Sequence, residues 1–72
     1  MTFSMFLGDC LKRLASYNPS TNRERKGQMV MNDLYKVRPD LFNSIVMDAP
    51  GVDPFHVDAN IPDFFSWLAD HW

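Results

Sequence analysis

The fold is decided by residues 25–42, which read RKGQMVMNDLYKVRPDLF. Apolar residues and one glycine recur here at the three- and four-residue spacing of a single helix face: Gly27, Val30, Met31, Leu34 and Val37. Arg38-Pro39-Asp40-Leu41 then ends this helix and starts another. Proline disfavours helical geometry in the residue before it but is tolerated at the first position of a new helix. The stretch therefore predicts two consecutive helices that meet at a proline corner.

The start of the first of these two helices is predicted upstream of the stretch. Thr21-Asn22-Arg23-Glu24 fits a capping box, in which the Thr and Glu side chains each bind backbone N–H groups at a helix start. Gly27 inside the helix costs ~1 kcal/mol relative to alanine. This cost indicates that another helix approaches closely at Gly27.

The opposite side of the same helix is basic. Arg25, Asn32 and Lys36 lie nearly opposite the apolar side, and Met29 lies beside them. We predict that this side faces outward. It is then either a solvated face or a site for an acidic partner or a phosphate.

An amphipathic helix is predicted at the start of the chain, over about residues 2–17. Its apolar stripe consists of Phe3, Phe6, Leu7, Cys10, Leu11, Leu14 and Ala15. Asp9 and Arg13 have the spacing of an i,i+4 ion pair, and Asn18-Pro19 ends the helix. Because Cys10 lies on the stripe, we expect a buried thiol rather than a nucleophile.

The C-terminal part predicts one short helix, one helical turn and a last helix. The short helix buries Leu41, Phe42, Ile45 and Val46 and ends by Met47 or Asp48. Asp53-Pro54-Phe55 predicts a helical turn to about Val57, and Asn60-Ile61-Pro62-Asp63 starts the last helix. The apolar side of that helix carries Ile61, Phe64, Phe65, Leu68 and Trp72. The predicted fold is all-α: a compact bundle of three to four short helices, in one domain over residues 1–72.

Size and composition exclude several classes of protein. The chain has 72 residues, 46% of them apolar, and one cysteine. This composition excludes a disordered tail and a disulfide framework, and no apolar run is long enough for a membrane span. His56 and His71 have no recognised metal-ligand spacing, and no phosphate-binding loop or nucleophile motif is present. We therefore expect no enzyme activity, no cofactor and no metal site.

The charge of the chain changes sign along its length. Residues 1–39 hold all seven Lys and Arg and three acidic residues, which gives +4, whereas residues 40–72 hold six aspartates and no basic residue, which gives −6. The formal net charge of −2 therefore hides two halves of opposite sign. Either the halves pair their charges in the fold, or they form separate surfaces.

The chain also has more aromatic rings than a core of this size easily encloses. Trp67 falls off the apolar stripe of the last helix, and Tyr35 lies at the margin of the apolar side of its own helix. Exposed aromatic side chains and methionine next to arginine are typical of protein-binding hot spots. The alternatives are that Trp67 covers the loop around Phe55 as part of the core, or that the extra rings form a homodimer seam.

Several motifs in residues 25–72 resemble a group of small phage and prophage proteins of unassigned function. The motifs are Arg25-Lys26-Gly27-Gln28, Asn32 with Leu34, Arg38-Pro39-Asp40-Leu41, Asp53-Pro54-Phe55, and Ile61-Pro62 followed by Phe65, Trp67 and Trp72. These are mostly capping and packing residues, so the resemblance implies a shared fold more than a shared activity. The phage context implies a protein that binds and blocks a host factor in the host cytoplasm, with an inhibitor of host defence, such as an anti-CRISPR, as the favoured kind.

We therefore predict a non-enzymatic protein that acts by protein–protein contact with a host protein, and not at a membrane. The predicted partner-binding residues are Arg25, Met29, Asn32, Lys36, Phe55, Trp67 and Trp72. Two alternatives stay open. One is a nucleic-acid-binding regulator that uses the basic helix, although the acidic and apolar start of the next helix does not suit a helix-turn-helix reader. The other is a structural or assembly protein that self-associates through the aromatic last helix.

Overall fold

The computed structural model describes all 72 residues and contains four α-helices and no strand. The helices are α1 (Phe3–Ala15), α2 (Lys26–Val37), α3 (Pro39–Asp48) and α4 (Ile61–His71). Single 3₁₀ turns at Pro50–Val52 and Asp58–Asn60 lie between α3 and α4. The predicted all-α bundle is confirmed. None of the four helices is long and apolar enough to cross a membrane.

Three helix starts follow the local signals in the sequence. The Thr2 hydroxyl accepts the N–H of Met5 at 3.2 Å and caps α1. Pro39 occupies the first turn of α3 and Pro62 the first turn of α4, where their missing N–H groups leave no helical bond unmade. The predicted end of α3 at Asp48 is also confirmed.

The predicted start of α2 is wrong. The helix begins at Lys26, because Glu24 accepts a hydrogen bond from the side-chain amide of Asn32 instead of capping the helix. The N–H of Gly27, in the first turn, donates instead to the Asp58 carboxylate at 2.9 Å. A side chain 31 residues away therefore supplies the helix cap.

Gly27 lies where another segment closely approaches α2, as predicted, but the prediction that this segment is a helix is wrong. A Cβ atom on Gly27 would lie 1.8 Å from the carbonyl oxygen of Pro54 and 3.1 Å from the Asp58 carboxylate. The approaching element is the loop between the two 3₁₀ turns rather than a helix. Only a residue without a side chain fits at this position.

The turn predicted after Asp53 is present as a single i→i+3 turn, in which the Val57 N–H donates to the Pro54 carbonyl at 3.1 Å, but it is not part of a helix. The Asp53 carboxylate accepts the N–H of Phe55 at 2.8 Å, and its carbonyl accepts the side-chain amide of Asn60 at 3.0 Å. These bonds hold residues 53–57 in place, and a separate 3₁₀ turn follows at Asp58–Asn60.

The core surrounds α2, which packs against α1, α3 and the Asp58–Asn60 turn. Its ten buried apolar residues are Phe6, Cys10, Met29, Val30, Met31, Leu34, Leu41, Ile45, Phe64 and Leu68. The Tyr17 hydroxyl donates to the Glu24 carbonyl at 2.7 Å, so the connection from α1 to α2 is tied down by a side chain that also packs on the core. The indole N–H of Trp72 donates to the carbonyl of Met1 at 3.2 Å and joins the two ends of the chain.

Candidate protein-binding surfaces

A groove lined mostly by apolar side chains lies between α2, α3 and the loop of residues 53–57. We call it the aromatic groove; its volume is about 300 Å³, and it is lined by Met31, Phe42, Val46, Asp53, Phe55 and His56. Phe42 and Val46 are one turn apart on α3, and residues 53–57 supply the opposite wall. This wall is held in place because Pro54 is buried, and because the carboxylate and the carbonyl of Asp53 each accept a hydrogen bond, from Phe55 and Asn60.

Exposed rings continue from the aromatic groove onto α2. The Tyr35 ring is 56% exposed and meets the Phe42 ring edge-on, with 5.1 Å between the centroids. Val46 is 45% exposed. At the end of the aromatic groove formed by His56, the Arg25 guanidinium donates to the His56 carbonyl at 3.0 Å. The structure therefore brings Arg25 and Phe55, two of the predicted partner-binding residues, to the same surface.

Met29 is not available to a partner, and this part of the prediction is wrong. Its side chain is 2% exposed and belongs to the core. The helical pattern left this side of α2 free, but α1 packs on α2, and Glu24 in the connection binds Asn32. Asn32 is itself half-buried and committed to that bond. The basic side of α2 is therefore not one continuous outward surface.

The other three predicted residues lie on different parts of the molecule. Lys36 is exposed and lines a second groove, between α1 and α2. The half-buried Trp67 ring stacks on His71 with 3.8 Å between centroids and packs against the core. Trp72 packs against Phe3 and Phe6 and lies under the Arg38 guanidinium. The seven predicted residues thus do not form one site.

The second groove, which we call the α1–α2 groove, has a volume of about 400 Å³. Buried Phe6 and Cys10 and the more exposed Met1 and Val37 supply its apolar lining. Its rim carries charged side chains: Asp9, Lys12, Arg13, Asp33 and Lys36. It therefore combines an apolar lining with three cationic groups.

Arg13 and Asp33 join the two helices across this groove. The guanidinium lies 2.6 Å from the carboxylate, so the predicted pair of Arg13 with Asp9 is wrong. Burial nevertheless raises the pKa of Asp33, because desolvation outweighs the attraction of Arg13. Burial, with a smaller contribution from the Asp33 charge, raises the pKa of the Cys10 thiol to about 12. The predicted buried thiol is confirmed.

The two halves of the chain do not neutralise each other. One of the two ion pairs, Arg13–Asp33, lies within the basic half. The other, Arg38–Asp40 at 2.9 Å, joins neighbours at the junction of the halves. Lys26 lies over the Tyr17 ring instead of beside an aspartate. Of the two alternatives, separate charged surfaces therefore fit the fold better, since Arg38–Asp40 is the one ion pair between the halves. No three His, Cys, Asp or Glu side chains converge as metal ligands would.

The sequence pattern places Phe42 and Val46 on the buried side of α3; Phe42 does pack half-buried against the core, whereas Val46 is 45% exposed and its place on the surface was missed. Leu41 and Ile45 fill the contact with the core, whereas Phe42 and Val46 lie further round the helix. One signal was present: the pairs 41–42 and 45–46 give an apolar arc wider than a single neighbouring helix covers.

Comparison of the chain with protein-family models, curated proteins and solved structures gave no match. The resemblance to small phage proteins therefore stays a prediction.

Proposed function

We propose that this protein acts by binding another protein, and that the partner docks on the aromatic groove. The observation that carries the proposal is the exposed Tyr35 ring, set edge-on against half-buried Phe42, beside the exposed Val46. Tyrosine and phenylalanine supply large contact areas for little loss of conformational freedom, and both are enriched at protein interfaces. A partner that inserts an apolar side chain between Val46 and Phe55 would bury this surface.

The groove is preformed, which favours tight binding. Both hydrogen bonds of Asp53 and the burial of Pro54 fix the wall that carries Phe55. A surface that is already ordered loses little conformational entropy when a partner binds. Exposed His56 and half-buried Asp53 supply polar groups at the edge, as the rim of an interface usually does.

The partner we propose is a host protein whose activity is inhibited or modulated by occupation of its own surface. Support comes from the sequence resemblance to small phage proteins, which implies action on a host factor, an inhibitor of host defence being the favoured kind. In this proposal the chain works in the host cytoplasm and performs no catalysis.

The test compares two neighbouring residues of α3. Val46 lines the aromatic groove, whereas Met47 is 78% exposed and does not line it. Tagged wild type, Val46→Asp and Met47→Asp are used to capture proteins from host lysate, and far-UV circular dichroism checks that both variants fold. We expect a host protein that wild type and Met47→Asp retain and that Val46→Asp loses. Equal capture by all three chains, or equal loss in both variants, would show that the aromatic groove is not the docking surface.

A further inference from the structure

The charged side chains of the α1–α2 groove are three cations, Lys12, Arg13 and Lys36, and two carboxylates, Asp9 and Asp33, which leaves a net charge of +1. Of its three basic residues only Arg13 forms an ion pair. Lys12, on α1, and Lys36, on α2, are both exposed and lie within no ion pair. Beside them, Met1 and Val37 expose 58% and 38% of their surface. This combination suits a surface that is both acidic and apolar.

Such a surface is present elsewhere on the same chain. The outer side of α4 exposes Asp63, Ser66 and Asp70, which share one helix face at spacings of three and four. Half-buried Trp67 lies at the edge of this side, its ring stacked on exposed His71. Neither aspartate forms an ion pair. We call this surface the acidic face of α4.

We propose that two copies of the chain associate, with the acidic face of α4 from one copy seated on the α1–α2 groove of the other. Asp63 and Asp70 are seven residues apart, about 10 Å along the helix, so one helix presents carboxylates near both ends of its contact. These carboxylates pair with Lys12 and Lys36. The ring of Trp67 covers Met1 and Val37.

Charge complementarity is the argument for a second copy as the occupant. Residues 1–39 carry +4 and residues 40–72 carry −6, yet only the neighbours Arg38 and Asp40 pair across that division. Both complementary surfaces are therefore left open by the fold. A two-fold dimer makes this contact twice, reciprocally, whereas a single contact per pair leaves one groove and one α4 face free for further copies.

The first experiment is analytical ultracentrifugation of the full chain over a range of concentrations. At about 50 mM salt we expect association, and at about 500 mM salt it should weaken markedly, because salt screens exposed charges over a few ångströms. A chain that stays monomeric at millimolar concentration and low salt overturns the proposal. Association that salt does not weaken overturns it as well.

Charge reversal then tests which surfaces meet. Lys12→Glu with Lys36→Glu makes the groove acidic, and Asp63→Lys with Asp70→Lys makes α4 basic. Each double variant alone should associate about tenfold more weakly or worse, since like charges then face each other. An equimolar mixture of the two variants should associate again, because each now complements the other.

The control is Asp48→Lys, which changes an exposed aspartate at the end of α3, outside both surfaces. It should associate like wild type. Retained association in either double variant, or a mixture that stays monomeric, overturns the proposal. If Val46→Asp loses association instead, the contact belongs to the aromatic groove and the proposal is overturned. If wild type captures a host protein that the Lys12→Glu, Lys36→Glu variant loses, while both chains self-associate equally, the α1–α2 groove binds that host protein and not a second copy.

Discussion

Replacing Gly27 by alanine should destabilise this protein strongly, although alanine is the better helix former. The new methyl carbon would lie 1.8 Å from the Pro54 carbonyl oxygen and 2.7 Å from its carbon. Both are backbone atoms of a buried residue, so no side-chain rotation relieves the clash. Either α2 or the loop must move, and movement of the loop also lengthens the bond from the Gly27 N–H to Asp58, because Pro54 and Asp58 belong to the same segment.

The size of the effect follows from three contributions. Overpacking of a rigid contact costs about 3 kcal/mol, and loss of a hydrogen bond to a charged group about 1.5 kcal/mol. The greater helix propensity of alanine returns about 1 kcal/mol. The net loss is therefore about 3–4 kcal/mol, which is a large part of the ~4–11 kcal/mol expected for a domain of this size. The melting temperature should fall by at least about 12 °C.

The assay is thermal and urea unfolding followed by far-UV circular dichroism, and the chain offers a matched control. Gly8 lies inside α1, and a Cβ atom there would meet no heavy atom within 4 Å. Gly8→Ala should therefore stabilise the protein by about 0.5–1 kcal/mol. Asp58→Ala removes only the helix cap and should cost about 1–2 kcal/mol. If Gly27→Ala were as stable as Gly8→Ala, or cost no more than Asp58→Ala, the steric argument would be refuted.

Two further predictions concern the core and the chain ends. Because burial raises the pKa of Cys10 from 9.0 to about 12, the unfolded chain loses this proton first, and stability should fall by about 1 kcal/mol between pH 8 and pH 10. Cys10→Ala should lack this part of the pH dependence in urea unfolding, and an identical decline in both proteins would contradict the assignment. Trp72→Ala should cost about 2 kcal/mol and speed amide hydrogen exchange in α1 more than in α3, since Trp72 holds Phe3, Phe6 and the Met1 carbonyl. Unchanged exchange in α1 would show that Trp72 does not anchor that helix.

The features that local sequence predicts best are those decided within a few residues. Pro39 and Pro62 mark helix starts because their geometry acts on the adjacent peptide units alone. The apolar spacing of α4 reveals its buried side, which carries Phe64 and Leu68. In α1 it does so in part: Phe6 and Cys10 are buried, but Leu11, on the same predicted stripe, is 51% exposed. Gly27 signals a close contact for the same reason: a costly residue inside a helix needs a cause.

The features that were predicted wrongly depend on which segments meet in space. A helical pattern places Met29 beside Arg25 and Lys36 but contains no information about the packing of α1 on α2. Glu24 has the spacing of a capping residue, yet Asn32 competes for its carboxylate, and Asp58 becomes close to Gly27 only after the chain folds. Pairings across 31 residues carry no local signal.

Only part of the candidate site could be predicted from the sequence, because the site also depends on which segments meet in space. Residue type points to Phe55 and Arg25; Phe55 lines the aromatic groove, and Arg25 lies beside it through its contact with the His56 carbonyl. Tyr35 lies at the margin of α2, as the helical pattern predicts, and its ring meets Phe42, which is half-buried against the core and also lines the groove. Residue type therefore indicates what prefers an interface, whereas the distinction between core and surface requires knowledge of the neighbouring helix.

The placement of α2 shows why the two oppositely charged halves of the chain form so few ion pairs with each other. This helix has α1 on one side and the loop with Pro54 and Asp58 against Gly27. Its contact with α3 is made by apolar and aromatic side chains, such as the Tyr35–Phe42 ring pair. In the segments after α3, the Asp58 carboxylate binds the N–H of Gly27 rather than a lysine or arginine, and no ion pair joins α2 to these segments. Lys36 remains free on one surface and Asp63 and Asp70 on another, which is the condition for electrostatic contact between separate molecules.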